Sequence, residues 1–248
     1  MNILSLISKE DFVFADDVPL WLNNNYQIFL VPSLVYPVFV NYCVGKFDYK
    51  AKLKFPFFIW NSIMCIYSGI SSIILVPKLI SKVITHGYDE SICVRNVEMS
   101  YLYQPWGRWI LLFVLSKLIE LGDTVFLVLS NRNVPFIHLY HHTVTLVIAY
   151  IQAVKLAKTM EWAVCMNLVI HTWMYGYYAF SCYYPVKGNR ILTKLQISQM
   201  IHGAFMCIYQ AIYCKDSPND TGAITIYTIY TVLFINMYSK KYKSIKQN

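Results

Sequence analysis

The sequence predicts an all-α, polytopic membrane protein with seven transmembrane helices. Two observations carry that class. Of 248 residues, 57% are hydrophobic and only 14% are charged, where soluble domains run nearer ~25% charged. Apolar stretches long enough to cross a bilayer recur at approximately 26–44, 57–77, 106–129, 136–154, 160–183, 191–213 and 222–238. The fourth is the weakest, because histidines interrupt it. No internal repeat or second domain is visible, so the expected organisation is simple. Residues 1–25 form a luminal N-terminal segment, 26–238 one helical membrane domain, and 239–248 a basic cytosolic tail.

The loops orient the helices. With the N-terminus luminal, the segments facing the cytosol carry more lysine and arginine than those facing the lumen, which places the C-terminus in the cytosol. The N-terminal stretch MNILSLISKEDFVFADDVP lacks a basic start and a small-residue cleavage site, so no cleaved signal peptide is expected. A net charge of +8 suggests nucleic acid in a soluble protein. In a membrane chain it fits cytosolic loops and an anionic substrate instead, and no nucleic-acid partner is expected. Seven scattered cysteines form neither a CxxC zinc pattern nor a dense disulfide framework.

Within these spans, polar side chains stand where lipid should be. Span three, WILLFVLSKLIELGDTVFLVL, carries Lys117, Glu120 and Asp123, with Thr124 beside them. Each mid-bilayer charge costs ~2.5–3.5 kcal/mol on insertion scales, so lipid exposure of all three is implausible. On a helix these four residues share an arc of roughly 120°, which allows one common interior. A structural Lys117–Glu120 ion pair pinning the bundle is the alternative.

Span four contains HLYHH, with His138, His141 and His142 at i, i+3 and i+4 within roughly 100° of arc. Span five carries Asn167, His171, Met174 and Tyr178 as one stripe, flanked by Tyr175 and Tyr177. Ordinary aromatic core packing also yields such a stripe. Span six presents Thr193, Gln196 and Gln199 at i, i+3 and i+6, a pattern that interhelical amide bonding shares. Four consecutive spans with polar arcs imply a shared cavity closed to lipid and open to the cytosol. That describes an enzyme or a transporter. A di-iron site is excluded on numbers, since desaturase-type centres need about eight histidine ligands and the chain has six histidines. A single zinc or iron remains formally open at this point, because one helix can supply two ligands at i, i+4.

Taken together, KLIELGDT (117–124), HLYHH (138–142), NLVIHTWMYGYY (167–178) and TKLQISQ (193–199) resemble the ELO family of fatty acid elongases. The family patterns KxxExxDT, HxxHH, NxxxHxxMYxYY and TxxQxxQ all match, in order. The resemblance implies a 3-oxoacyl-CoA synthase of the endoplasmic reticulum, an acyltransferase of lipid biosynthesis. Such an enzyme joins long-chain acyl-CoA to malonyl-CoA with loss of CO2 and CoA. It implies six helices arranged as a barrel of two inverted three-helix units around a substrate tunnel, with the first helix outside.

It also implies site roles. His141 takes the acyl group as an acyl-histidine, for which neutral imidazole is a competent nucleophile. His138 and His142 orient or deprotonate it, and Asp123 fixes a tautomer. His171 sits near the second carbonyl with Asn167 and Tyr175 as hydrogen-bond donors. Lys117, Glu120, Tyr178, Gln196 and Gln199 line the substrate site. No metal or redox cofactor is required, the CoA thioesters being substrates.

Arg132, Lys187, Arg190 and Lys194 are the expected phosphate ligands, although the loop holding Arg132 has fewer bases than is usual in the family. The segment NVPFIHLYHH lacks the glutamine of the polyunsaturated-substrate subgroup and resembles the saturated and monounsaturated one. Further implied partners are membrane lipids, the reductases and dehydratase of the elongation cycle, and a second copy of the chain. A luminal bridge between Cys93 and Cys214 matches the family pattern and suits an oxidising compartment. The C-terminal tail lacks a lysine pair in the usual retrieval register. The competing classes are a lipid or acyl-CoA transporter and a metal-dependent membrane lipid oxidase.

Overall fold

A computed structural model describes residues 2–49, 52–95, 100–186, 189–214 and 221–243. Among these the chain is helical and has no strand. The helices are α1 (Ile3–Ile7), α2 (Phe14–Asn24), α3 (Gln27–Cys43), α4 (Lys54–Cys93), α5 (Gly107–Glu120), α6 (Gly122–Leu129), α7 (Phe136–Val154), α8 (Met160–Ser181), α9 (Asn189–Tyr213) and α10 (Thr221–Lys243). A 3-10 turn at Tyr101–Tyr103 precedes α5.

Two of these, α4 and residues 222–242 of α10, are long and apolar enough to cross a bilayer. The pair α2 and α3, bent by 54°, forms a third candidate. Helices α5 and α6, with 14 and 8 residues, are each too short to cross a bilayer alone, and polar side chains interrupt the apolar runs of α7, α8 and α9. Neighbours run from α4 to α8, α9, α10, α7 and α5, and α5 returns to α8. Helix α3 lies against α7 and α6, and α2 against α7 and α5.

Several boundaries depart from the sequence reading. The second span does not stop at 77: α4 continues for 40 residues to Cys93, with a kink at Gly87, whose φ of +83° suits a residue without a Cβ. His86 lies in this helix, next to the kink. The third span is interrupted at Leu121, between α5 and α6. There the Leu121 amide bonds back to Leu118, and its carbonyl accepts from the Tyr36 hydroxyl at 2.5 Å. The tail is helical through Lys243, and residues 244–248 lie outside the described part.

The largest departure is the N-terminal segment, which packs into the core. Leu6, Phe14, Val18 and Leu22 are fully buried against Ile110, Leu111 and Val114 of α5 and Leu146 of α7. Lys9 donates to Asp17 at 2.7 Å, and Arg108 at the start of α5 donates to the Lys9 carbonyl. Transmembrane-span counting missed α2 because two aspartates and a proline interrupt its apolar pattern.

At one end of the molecule, polar bonds and a covalent tie hold the helices. Glu161 accepts from Lys82 at 3.0 Å, from the Ser100 hydroxyl at 2.7 Å and from the Tyr101 amide at 2.7 Å. Both ion-pair side chains are buried, so satisfying the carboxylate with three donors offsets its desolvation. Nearby a disulfide joins Cys93 to Cys214 across a Cα–Cα distance of 5.3 Å, tying the end of α4 to the end of α9. Cys43, Cys65, Cys165, Cys182 and Cys207 are thiols. Peptide mapping of freshly isolated membranes under non-reducing conditions is expected to recover the Cys93 and Cys214 peptides linked; both as free thiols contradicts the bridge.

Candidate active site

Three local devices set up the site. Pro135 precedes α7 with extended backbone (φ −62°, ψ 141°), and its fixed φ directs the chain into the helix that carries the histidines. Before it, α6 closes with a Schellman cap. Asn131 takes the left-handed conformation (φ +51°), its amide bonds to the Val128 carbonyl, and the Arg132 amide to that of Leu127. This cap delivers Arg132 to the cavity rim. The third device is Gly122: a Cβ there would sit 2.6 Å from the Trp60 ring. Only glycine lets the indole cross α6 and donate to Asp123 Oδ1 at 2.6 Å.

The cavity has a volume of about 530 Å3. Its walls come from α4, α6, α7, α8, α9 and α10, and none of its lining residues belongs to α1, α2 or α3. Arg132, Ser181 and Lys241 mark its outer part. That end is opposite the disulfide. Lining it are His138, His141, His142, Asn167, His171, Tyr175, Tyr178, Gln196, Gln199 and Asp123. A second cavity of about 60 Å3 lies deeper, and it shares His141, Asn167, Gln199 and Met200 with the first.

The histidines divide into two groups. On α7, the His138 and His142 rings lie with centroids 4.4 Å apart, and the His141 ring sits 5.5 Å from His142. His138 Nε2 meets the Thr124 hydroxyl at 3.0 Å. The His141 ring packs on Tyr230 with centroids 5.1 Å apart, and the Tyr230 hydroxyl donates to the His141 carbonyl at 3.3 Å. No described residue hydrogen-bonds either ring nitrogen of His141, and the ring lines both cavities.

His171 on α8 belongs to a dry network. Its Nδ1 lies 3.5 Å from Glu120 Oε1, and its Nε2 lies 3.2 Å from the Asn167 amide nitrogen. That pairing selects the tautomer: the proton on Nδ1 faces the carboxylate, and Nε2 accepts from Asn167. Lys117 donates to Glu120 at 2.7 Å and to the Asn167 carbonyl oxygen at 2.8 Å. Lys117, Glu120, Asn167 and His171 are all buried. The Lys117–Glu120 pair named as the structural alternative is thus present, and it is joined to a histidine.

Asp123 occupies a different position from the one expected. The sequence reading made it the carboxylate that fixes a histidine tautomer. Its two oxygens instead accept from Trp60 Nε1 and from the Tyr175 hydroxyl at 2.8 Å, and the carboxylate in reach of a histidine is Glu120.

The expected phosphate ligands also separate. Arg132 lines the cavity. Arg190 is exposed, its Nε donating to the Tyr238 hydroxyl at 2.8 Å and its guanidinium lying 5.7 Å from the Tyr242 ring centroid. Lys194 is exposed on α9 and is not among the lining residues. Lys187 falls outside the described residues.

Sequence reasoning missed Trp60, Asn61, Tyr230 and Lys241. Asn61, only 1% exposed, was signalled by an amide inside the apolar run FFIWNSIM. Lys241 follows Phe234 and Met237 at i+7 and i+4, one helical face, once α10 is allowed to continue past the apolar run.

Helices of bilayer length, a buried charged network and a histidine-lined cavity with a basic rim define a helical membrane protein with an enclosed polar site. Comparison with known proteins narrows that class. Residues 21–248 match the model of the GNS1/SUR4 family (ELO). The chain is 33% identical over 207 residues to very long chain fatty acid elongase 6 of Drosophila melanogaster, covering 78% of this chain and 64% of the fly protein. It is 32% identical over 213 residues to fatty acid elongase 2 of Trypanosoma brucei brucei (79% of this chain, 78% of that one). With very long chain fatty acid elongase 3 of Homo sapiens it shares 29% identity, covering 97% of this chain and 92% of the human one. The protein belongs to the GNS1/SUR4 (ELO) family.

Proposed function

We propose that the protein is a fatty acid elongase, the condensing enzyme that joins a long-chain acyl-CoA to malonyl-CoA. The observation that carries this reading is His141, an imidazole with no hydrogen-bond partner among the described residues, held where a basic-rimmed cavity meets a smaller blind one. A ring nitrogen with a free lone pair attacks the thioester carbonyl. The C–S bond breaks, and CoA leaves as its thiol after protonation. The resulting acyl-imidazole is a reactive acyl donor.

Malonyl-CoA then enters the same cavity and loses CO2. Its enolate carbon attacks the acyl carbon, the bond to His141 breaks, and 3-oxoacyl-CoA forms. His171, with its Nδ1 proton facing Glu120, orients the Asn167 amide through Nε2, and the second N–H of that amide stands as the donor for the second thioester carbonyl. Lys117 pairs with Glu120 beside His171. The scheme uses side chains alone, without metal or redox cofactor. It goes with an endoplasmic reticulum membrane, seven spans, two inverted three-helix units, a luminal N-terminus and a cytosolic cavity mouth.

Purified protein given a long-chain acyl-CoA and radiolabelled malonyl-CoA is expected to yield a labelled 3-oxoacyl-CoA two carbons longer. With acyl-CoA alone it is expected to release stoichiometric free CoA. Failure to form a longer product over a range of saturated and monounsaturated chain lengths overturns the assignment. CoA phosphates meet Arg132 and Lys241 at the rim in this reading. The double substitution Arg132→Ala with Lys241→Ala is expected to raise KM for acyl-CoA about tenfold and to flatten its dependence on ionic strength, with kcat little changed. An unchanged KM at low salt removes these two residues from CoA binding.

A further inference from the structure

The smaller cavity ends in an unsatisfied amide. Gln152, two residues before the end of α7, is 5% exposed and lines that cavity, and its Nε2 has no hydrogen-bond partner. Its backbone does not compensate. The Gln152 carbonyl accepts from the Ala157 amide in the cap that closes α7, where Leu156 takes a φ of +51°. The cap therefore anchors the Gln152 main chain and leaves the side chain as the polar group of the chamber's far end. Met160 and Ala223, the first residues of α8 and α10 on the lining, mark the same end. Beside Met160, the hydroxyl of Thr159 is also buried and without a partner. Apolar side chains such as Ile148, Ala149 and Val164 line the walls between this end and His141.

A buried amide donor left without an acceptor carries its full desolvation cost. Buried polar side chains are normally paired, so each exception calls for a missing partner. A methyl-ended acyl chain pushed to the end of this chamber cannot supply one. A chain ending in a hydroxyl can, because a hydroxyl both donates and accepts and pairs with the amide in either orientation of its oxygen and nitrogen. We propose that Gln152 makes the blind chamber a recognition site for the far end of the acyl chain, selecting ω-hydroxylated chains over methyl-ended chains of equal length.

This rests on the elongase reading and names its substrate class. The chain enters past His141, its thioester end reacts there, and its other end meets Gln152. The chamber's present volume of about 60 Å3 is enough to hold water. Seating a chain end therefore displaces any solvent there, and the incoming hydroxyl replaces the lost bonds whereas a methyl does not.

The experiment compares pairs of acyl-CoAs of equal length, one methyl-ended and one ω-hydroxylated, across a series of lengths. The protein is the full chain in nanodiscs, as wild type and as Gln152→Leu, a near-isosteric apolar replacement. In wild type, the kcat/KM ratio of hydroxylated to methyl-ended substrate is expected to rise with length and then favour the hydroxylated chain. At that length Gln152→Leu is expected to shift the ratio about tenfold towards the methyl-ended chain, as an unpaired site amide dictates. Gln152→Met serves if the leucine variant does not fold. A ratio independent of residue 152 at every length overturns the proposal while leaving the elongase reading in place. Absence of turnover for every substrate overturns the elongase reading instead. In that event, direct titration of the same acyl-CoA pairs into wild type and Gln152→Leu reads the chamber's preference by itself.

Discussion

His141→Ala protein is expected to fold, to bind acyl-CoA and to release no CoA from it. Intact-mass analysis of wild type after treatment with acyl-CoA alone should show one added acyl group, and the variant should show none. Overall turnover should fall by at least about a thousandfold, the scale of losing a covalent nucleophile. Truncation at this position removes a ring that packs on Tyr230 but no hydrogen bond among described side chains, so the chemical loss is separable from a structural one. An acyl adduct that survives His141→Ala moves the nucleophile elsewhere and leaves His138 or His142 to be examined by the same measurement.

The second large effect concerns stability. Lys117→Met leaves Glu120 buried with its ion partner removed, and breaking a buried pair from one side typically costs ~3–5 kcal/mol. Thermal unfolding in detergent should show a marked loss for Lys117→Met. Replacing both members, Lys117→Met with Glu120→Leu, should recover most of it, because no uncompensated charge remains. The double variant is not expected to be active, since His171 loses the carboxylate that holds its tautomer. Near-normal activity in the double variant reduces the network to a structural pin. Both outcomes are read from the same two preparations.

Much of this site was legible because polar residues in apolar helices are conspicuous. HLYHH, the charges of KLIELGDT and the NLVIHTWMYGYY stripe stand out at helical spacing; the histidines, Asp123 and the stripe line one cavity, while Lys117 and Glu120 lie behind its wall, bonded to Asn167 and His171. Periodicity shows a shared face but does not assign partners within it. Glu120 reaches His171, while Asp123, one turn on, reaches Trp60 and Tyr175. Cross-helix partners such as Trp60 and Tyr230 were unreadable for a different reason. Each is an aromatic among many, and only the close approach at Gly122 or the contact with His141 singles it out. The core position of α2 was hidden by its own aspartates, Asp16, which is exposed, and Asp17, which is bonded to Lys9 and the Val13 amide.

That docking of α2 has a consequence for the order in which the molecule assembles as it leaves the ribosome. The surface that receives Phe14 and Val18 comes from α5 and α7, translated roughly a hundred residues later, and the Cys93 thiol waits 121 residues for Cys214. Until α5 and α7 have been made, the buried face of α2 therefore lacks its partners on those helices and depends on contacts of long sequence separation. Helices α8 to α10 follow only after that docking surface is complete.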